Sequence, residues 1–285
     1  MKPICRLYLL LVVAIMLSSC VSTSPLLTPT QTETQPPSPT FTLPISTSQL
    51  TQAATRIQPA TLEPEQAEEA ISNLLMEPMG CEAPCFWGII PGQTTLGEAK
   101  IIFNLMGLQM QHTNTRDNKD FYEVTYDFDS GLSVSPVLAI QDDIVKNIDV
   151  GINPKKRQAG VPRDWLAYSP ETLINQYGTP SRVDFFVGRG APTISYAMTM
   201  YFDSVDLIVE YGGYDIIFET TSFHVCPLTD QFDSVRIWMG QDPQYPPLDE
   251  VPLEDATSMT LGEFAKLMTG NPDNACLNLK EEFFS

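Results

Sequence analysis

The chain has 285 residues, with 35 acidic side chains against 16 basic ones and a formal charge of −19 at pH 7. A field that negative repels nucleic acid and anionic lipid surfaces, so binding to either through general electrostatics is excluded. There are only two histidines, and no phosphate-cradling Gly-rich loop, H-E-x-x-H or G-x-S-x-G motif, so the common signatures of nucleotide, zinc-protease and serine-hydrolase chemistry are missing.

The first residues read as a leader. Lys2 and Arg6 precede an apolar run from Leu7 to Leu17 that suits a signal core and is too short to cross a bilayer. The run ends in Leu17-Ser18-Ser19-Cys20, which resembles a bacterial lipobox. The resemblance implies a lipoprotein signal over residues 1–19 and acylation of Cys20, which becomes the membrane-anchored N-terminus. An ordinary secretory leader or an uncleaved anchor is the alternative. Residues 20–63 then form the lipidated cysteine and a tether. Of residues 21–60, 27 are Ser, Thr, Pro or Gln, and only Glu33 and Arg56 are charged. Such a segment buries too little apolar surface to offset its chain entropy, which predicts disorder. Extended, it reaches on the order of 100 Å, enough to hold a folded part clear of the lipid. The expected location is extracytoplasmic, on the cell membrane or outer membrane.

The folded part is expected as two units, 64–160 and 161–285. Pro64 opens a helix with Ala67, Ile71, Leu74 and Leu75 on one face. Thr95 and Glu98 have capping-box spacing, and Leu96, Ala99, Ile102, Phe103 and Met106 form a helical stripe closed by Gly107. The pattern recurs at Thr260 and Glu263, with Leu261, Phe264, Leu267 and Met268 inward and Gly270 as stop. A related helix runs from a Ser169 cap through Pro170, Leu173, Ile174 and Tyr177 to Gly178. Period-two alternation predicts strands through Tyr122 to Phe128, Leu132 to Ile140 and Ile144 to Ile152. Pro136 suggests an edge or a bulge. Further strands follow at Val183 to Val187, Ile194 to Met200, Val205 to Tyr211, Ile216 to Phe218 and Val235 to Met239. The predicted class is α+β: short helices packed on antiparallel β-meanders, as tandem helix-meander repeats with a closing strand and helix.

The matching stretches PGQTTLGEA (91–99) and SPETLINQYGTPSRV (169–183) resemble the BamE (SmpA/OmlA) type of small envelope lipoprotein domain. The first copy departs from the pattern, carrying Gly107-Leu-Gln where the second has Gly178-Thr-Pro180. The stretch C-x3-C-F-W-G-I-x-P-G-x-T-T on a lipobox protein is also similar to uncharacterised bacterial lipoproteins. The resemblance implies an envelope protein that works by contact, and it carries over no catalytic residue.

Cys5 leaves with the leader and Cys20 takes the lipid, so Cys81, Cys85, Cys226 and Cys276 remain. An even number in an exported domain points to disulfides, and four cysteines allow three connectivities. We expect Cys81–Cys85 and Cys226–Cys276. The second closes a loop of about 50 residues, worth on the order of 4 kcal/mol in the chain-entropy account. A redox pair at Cys81/Cys85 is the alternative, against which stand the C-x-x-x-C spacing and the acidic Glu82. Zinc lacks ligands, because neither His112 nor His224 is spaced with that pair. The staple reading places Trp87 in the core; an exposed aromatic contact is its alternative. His224 and Cys226 stand two apart on one predicted face, a thin hint of a Cys-His pair.

Lys155, Lys156 and Arg157, with Arg163, form the one basic cluster: a contact for lipid headgroups or an acidic partner, or simply a solvated loop. Asp127 and Asp129 before Gly131 form part of a calcium-loop pattern that lacks its closing Glu, and a β-turn explains them without metal. The function expected is a lipid-anchored, non-enzymatic binding or envelope-assembly module. It has no cofactor, holds the membrane through its lipid and meets an envelope protein partner. The alternatives are an extracytoplasmic thiol oxidoreductase or carboxylate-based hydrolase, or a domain that captures a small ligand or cation.

Overall fold

The computed structural model describes residues 61–76, 81–154, 166–190, 193–214, 216–219, 221–227, 232–241, 249–270 and 275–284. The leader, Cys20, the tether up to residue 60, and the basic cluster Lys155, Lys156, Arg157 and Arg163 lie outside the described residues. No helix among the described residues is long and apolar enough to cross a membrane.

Five α-helices are described: α1 (Pro64–Met76), α2 (Leu96–Leu105), α3 (Pro170–Tyr177), α4 (Leu253–Thr257) and α5 (Leu261–Gly270). Local chemistry sets their ends. The Thr95 hydroxyl accepts from the Glu98 N–H while the Glu98 carboxylate accepts from the Thr95 N–H, closing the capping box on α2. Thr260 and Glu263 repeat this at α5. At both boxes the Thr backbone N–H, and then its hydroxyl, hold the Glu carboxyl below its ordinary range. Ser169 caps α3 by accepting from the Thr172 N–H. Gly107 and Gly178 stop α2 and α3 at positive φ, which glycine adopts without steric cost.

The strands are β1 (Gln111–Arg116), β2 (Lys119–Glu123), β3 (Tyr126–Asp127), β4 (Leu132–Gln141) and β5 (Ile144–Pro154) in the first half. The second half has β6 (Arg182–Gly190), β7 (Thr193–Phe202), β8 (Leu207–Tyr214), β9 (Ile217–Glu219), β10 (Ser222–Val225), β11 (Ser234–Met239), β12 (Val251–Pro252) and β13 (Leu277–Lys280). Ten of them form one antiparallel sheet in the order β1-β2-β4-β5-β11-β8-β7-β6-β12, with β3 also paired to β4. The class is mixed α+β with a large antiparallel sheet.

Three expectations are corrected. The strand through Tyr122 to Phe128 is split into β2 and β3, and the break faces Pro136. Pro136 lies inside β4, not at an edge: the Val124 N–H donates to its carbonyl, and proline has no N–H to return. Ile217 and Phe218 do not extend the second meander. They sit in β9 of a separate three-stranded sheet, β13-β10-β9, and both are exposed. Finally, β11 is not a closing strand but lies between β5 and β8, joining the two meanders.

Alternation assigns the sheet's faces. Val134, Leu138, Ile148, Val150, Val183, Phe185, Met198, Val209, Tyr211, Val235 and Ile237 share one core cluster with Phe103 of α2, Leu173 of α3 and Phe264 of α5. This is the helix-covered face. Tyr211 is fully buried there and donates its hydroxyl to the Tyr168 carbonyl at 2.6 Å. A bulge opposite Ala139 and Ile140 puts Val145 as well as Ile148 into the core, so the face switches within β5.

Candidate contact face and a cysteine-histidine cluster

The other face of the sheet carries the residues that alternate with the core set. The strand pairings place Val137, Asp149, Trp238, Ile208, Tyr201 and Arg182 in one row across it. The adjacent row is Ser135, Gly151, Arg236, Glu210, Thr199 and Asp184. Ala139, Ala197, Tyr201 and Trp238 are buried yet stand outside the main core cluster. Long cations help cover the aromatics. The Arg236 guanidinium lies 4.9 Å from the Trp238 ring, Arg182 lies 3.7 Å from the Tyr201 ring, and Arg116 lies 5.6 Å from the Phe121 ring.

Each of these arginines also meets a carboxylate. Arg236 donates from Nε and Nη2 to the two oxygens of Asp149, at 3.0 and 2.6 Å. Arg182 Nε stands 2.8 Å from Asp184, and Arg116 Nε 3.6 Å from Asp117. The bidentate pair fixes the plane of Arg236 and so the surface it presents. A groove of about 190 Å³ runs between these groups, walled by Arg116, Lys119, Arg236, Phe121, Asn147 and Trp238. Lys119 reaches Asn147 Oδ1 at 3.3 Å, and Asn147 Nδ2 donates in turn to the Gln241 carbonyl. Three cations face one carboxylate, Asp149, along this lining. In a chain with 16 basic residues against 35 acidic ones, that is a local inversion of sign.

At the far end of the face the polarity turns. Glu250 accepts from the Thr199 hydroxyl at 2.7 Å and the Tyr201 hydroxyl at 3.1 Å, beside the buried Asp184. Burial raises the Asp184 carboxyl above its ordinary range; Arg182 opposes the shift and Glu250 adds to it. Burial likewise pushes the Tyr201 phenol up to about 12. These bonds tie the segment before β12 to β7.

The predicted site residues fall as follows. Cys81 pairs with Cys85 and Cys226 with Cys276. Between Phe86 and Ile89 the chain makes a tight hairpin, with Trp87 and Gly88 both at positive φ. The Ala83 N–H donates to the Tyr177 hydroxyl at 3.0 Å and so binds the cysteine loop to α3. Trp87 is 4% exposed, stacked on Phe86 and edge-on to Phe103, so the reading of it as an exposed contact is overturned by its burial. Asp127 and Asp129 are both exposed, on β3 and the turn after it. That turn is closed by the Gly131 N–H to the Phe128 carbonyl and the Phe128 N–H to the Leu132 carbonyl.

Within β10, His224 Nε2 lies 3.3 Å from Sγ of Cys226, which directly follows the strand, and His224 Nδ1 lies 2.8 Å from Asn278 Oδ1 on β13. His224, Cys226 and Cys276 bring their ligand atoms within 4.8 Å of one another, all partly exposed. With both sulfurs in a disulfide, the group offers an incoming cation one imidazole and no thiolate.

The chain matches no protein-family model, no curated protein and no solved structure. Sequence reasoning missed the groove because alternation marks Lys119, Phe121, Arg236 and Trp238 only as facing water. The available signal was Arg236 and Trp238 two apart on one strand of an acidic chain, which puts a cation beside a large aromatic.

Proposed function

We propose that this protein is a lipid-anchored extracytoplasmic binding module that docks an acidic segment of an envelope protein on the helix-free face of its sheet. The single observation that carries the reading is the groove of Arg116, Lys119 and Arg236 over Phe121 and Trp238. An acidic peptide gains charge-assisted hydrogen bonds from the three cations and apolar contact from the aromatic floor, while the surrounding negative field disfavours other orientations. The lipobox at Cys20 and the Ser/Thr/Pro-rich stretch that follows it support the anchoring part of the proposal, as a lipid site followed by a tether. The arrangement of α2 before β1 to β5, and of α3 before β6 to β8, is consistent with two BamE-like helix-meander units sharing one sheet through β11. No cofactor enters this function.

The test is site-directed photo-crosslinking in intact cells, with the photoreactive residue at Asn114 or Asn153. Both are exposed on the helix-free face. Ile101, 52% exposed on α2, is the control. The expected result is one envelope protein captured from Asn114 and Asn153 through an acidic stretch, with capture weakened at high salt. Capture from Ile101 alone, or a partner segment without acidic residues, removes the reading.

A further inference from the structure

The cluster at the end of β10 has a use that the contact face does not supply. We propose that Cys226–Cys276 is an exchange-active disulfide, with His224 as the acid that stabilises the departing Cys226 sulfur. Three observations converge. The imidazole Nε2 is 3.3 Å from Cys226 Sγ, within reach of a thiolate formed there. Its other nitrogen is held by the Asn278 amide oxygen at 2.8 Å. With Nδ1 donating to that oxygen, Nε2 carries a proton only in the imidazolium form, and that proton points at the sulfur. The disulfide and the ring are all partly exposed, so an incoming thiolate can reach them.

The ladder explains why exchange here would be reversible. β10 and β13 pair from Ser222 opposite Lys280 to Val225 opposite Leu277, and the disulfide continues this register by one position. Opening it leaves four residue pairs of backbone ladder and the buried Val225, Leu277 and Leu279 in place, so the two sulfurs stay adjacent. The co-reactant is a dithiol, small or on a protein. Its first thiol loses a proton to solvent and attacks Cys276 Sγ. The Cys226–Cys276 bond breaks, and its electron pair leaves on Cys226, next to the imidazolium. The second thiol of the reductant then attacks its own mixed-disulfide sulfur and releases the Cys276 thiolate. Overall the dithiol is oxidised to a disulfide and this protein gains two thiols.

The second bridge gives an internal reference. The Cys81 sulfur accepts a hydrogen bond from the Gly88 N–H at 3.4 Å, and Cys85 is buried beside it. His224 takes no part in that site. The experiment treats the full chain with dithiothreitol at fixed pH, quenches by alkylation and reads each bridge by peptide mass spectrometry. The probe is dithiothreitol itself, on wild type and His224→Gln. The expected result is a reduction of Cys226–Cys276 about a hundredfold slower in His224→Gln, the low end of what a positioned general acid contributes, with the Cys81–Cys85 rate unchanged. An unchanged Cys226–Cys276 rate overturns the proposal. So does an equal change at both bridges, which reports altered folding. Asn278→Ala should slow the same bridge less, and Asn278→Asp, which keeps an acceptor at Nδ1, should recover it. Failure of that rescue removes Asn278 as a positioning residue.

Discussion

The two faces of the ten-stranded sheet are built from the same strands and do opposite work. On β11, Val235, Ile237 and Met239 are buried among the helices, while Arg236 and Trp238 face the other way. The covered face is held by dispersion and by removal of apolar area from water, which is indifferent to charge. The open face is held by ion pairs and cation-aromatic contacts that change with salt, pH and any ligand that competes for them. Neighbouring residues on one strand therefore separate the apolar core from the face at which docking is proposed.

The sharpest way to break this comparison is to truncate one residue on each side. Ile237→Ala should cost about 2–5 kcal/mol, because Ile237 is fully buried and the cavity cannot collapse against a rigid sheet. Chemical denaturation reads this as a lower midpoint at unchanged slope. Arg236→Ala, one residue away, should cost at most about 1 kcal/mol, since its pair with Asp149 is partly exposed. If the two variants lose equal stability, the division between the faces fails.

The next effect is on recognition. Arg236→Ala and Lys119→Ala should each weaken capture of an acidic partner several-fold, about 1 kcal/mol apiece, without moving the denaturation midpoint by more than that. Arg236→Lys should not restore binding, because a lysine cannot span both Asp149 oxygens and keep a flat face over Trp238. Equal binding by Arg236→Lys would show that charge alone suffices and that the aromatic floor is idle.

The same contrast explains what the sequence made legible. Strands whose buried face alternates cleanly, such as β4, β6, β7, β8 and β11, are readable because Val, Ile, Leu and Met recur every second residue. The helix ends are readable because a capping box is a local reaction between residues three apart. β1 is different: its sequence, QHTNTR, is polar throughout and every residue is exposed, so no periodicity marks it. Its one signal is Asp117-Asn118, both at positive φ, in the turn to β2. The small sheet was missed because β9, β10 and β13 are three or four residues long and two of them are separated by some fifty positions. Placing β11 between β5 and β8 needs pairing across distant segments, which no local pattern encodes. The groove is a product of that placement, since it sets Arg236 and Trp238 beside Asp149.

A smaller effect tests the helix ends on the covered side. Thr95→Ala should cost about 1 kcal/mol at neutral pH, through loss of the hydroxyl that accepts from the Glu98 N–H. The Glu98 carboxyl is held below its ordinary value of 4.5 in the folded state. Its contribution is therefore present above that value and is lost as pH falls through the lower folded one. The difference between wild type and Thr95→Ala should shrink in acid, and denaturation at a series of pH values measures this. A constant difference would mean that the hydroxyl acts without its Glu partner.

The smallest effect has the opposite sign and belongs to the open face. Burial lifts the Asp184 carboxyl above its ordinary value of 3.8, and Glu250 adds to the lift while Arg182 opposes it. A carboxyl whose folded value is raised holds its proton more tightly when folded. Its stabilisation is therefore complete below 3.8 and is lost as pH rises through the raised value. Asp184→Asn removes that titration and keeps the shape. Relative to wild type, the variant should do worst in acid and gain steadily towards neutrality, the reverse of the trend at Thr95. Titrating denaturation midpoints of both variants on one pH axis puts the two faces in direct opposition. If Asp184→Asn instead loses ground as pH rises, the Arg182 ion pair outweighs burial, and the open face is held at that end by charge rather than strained by it.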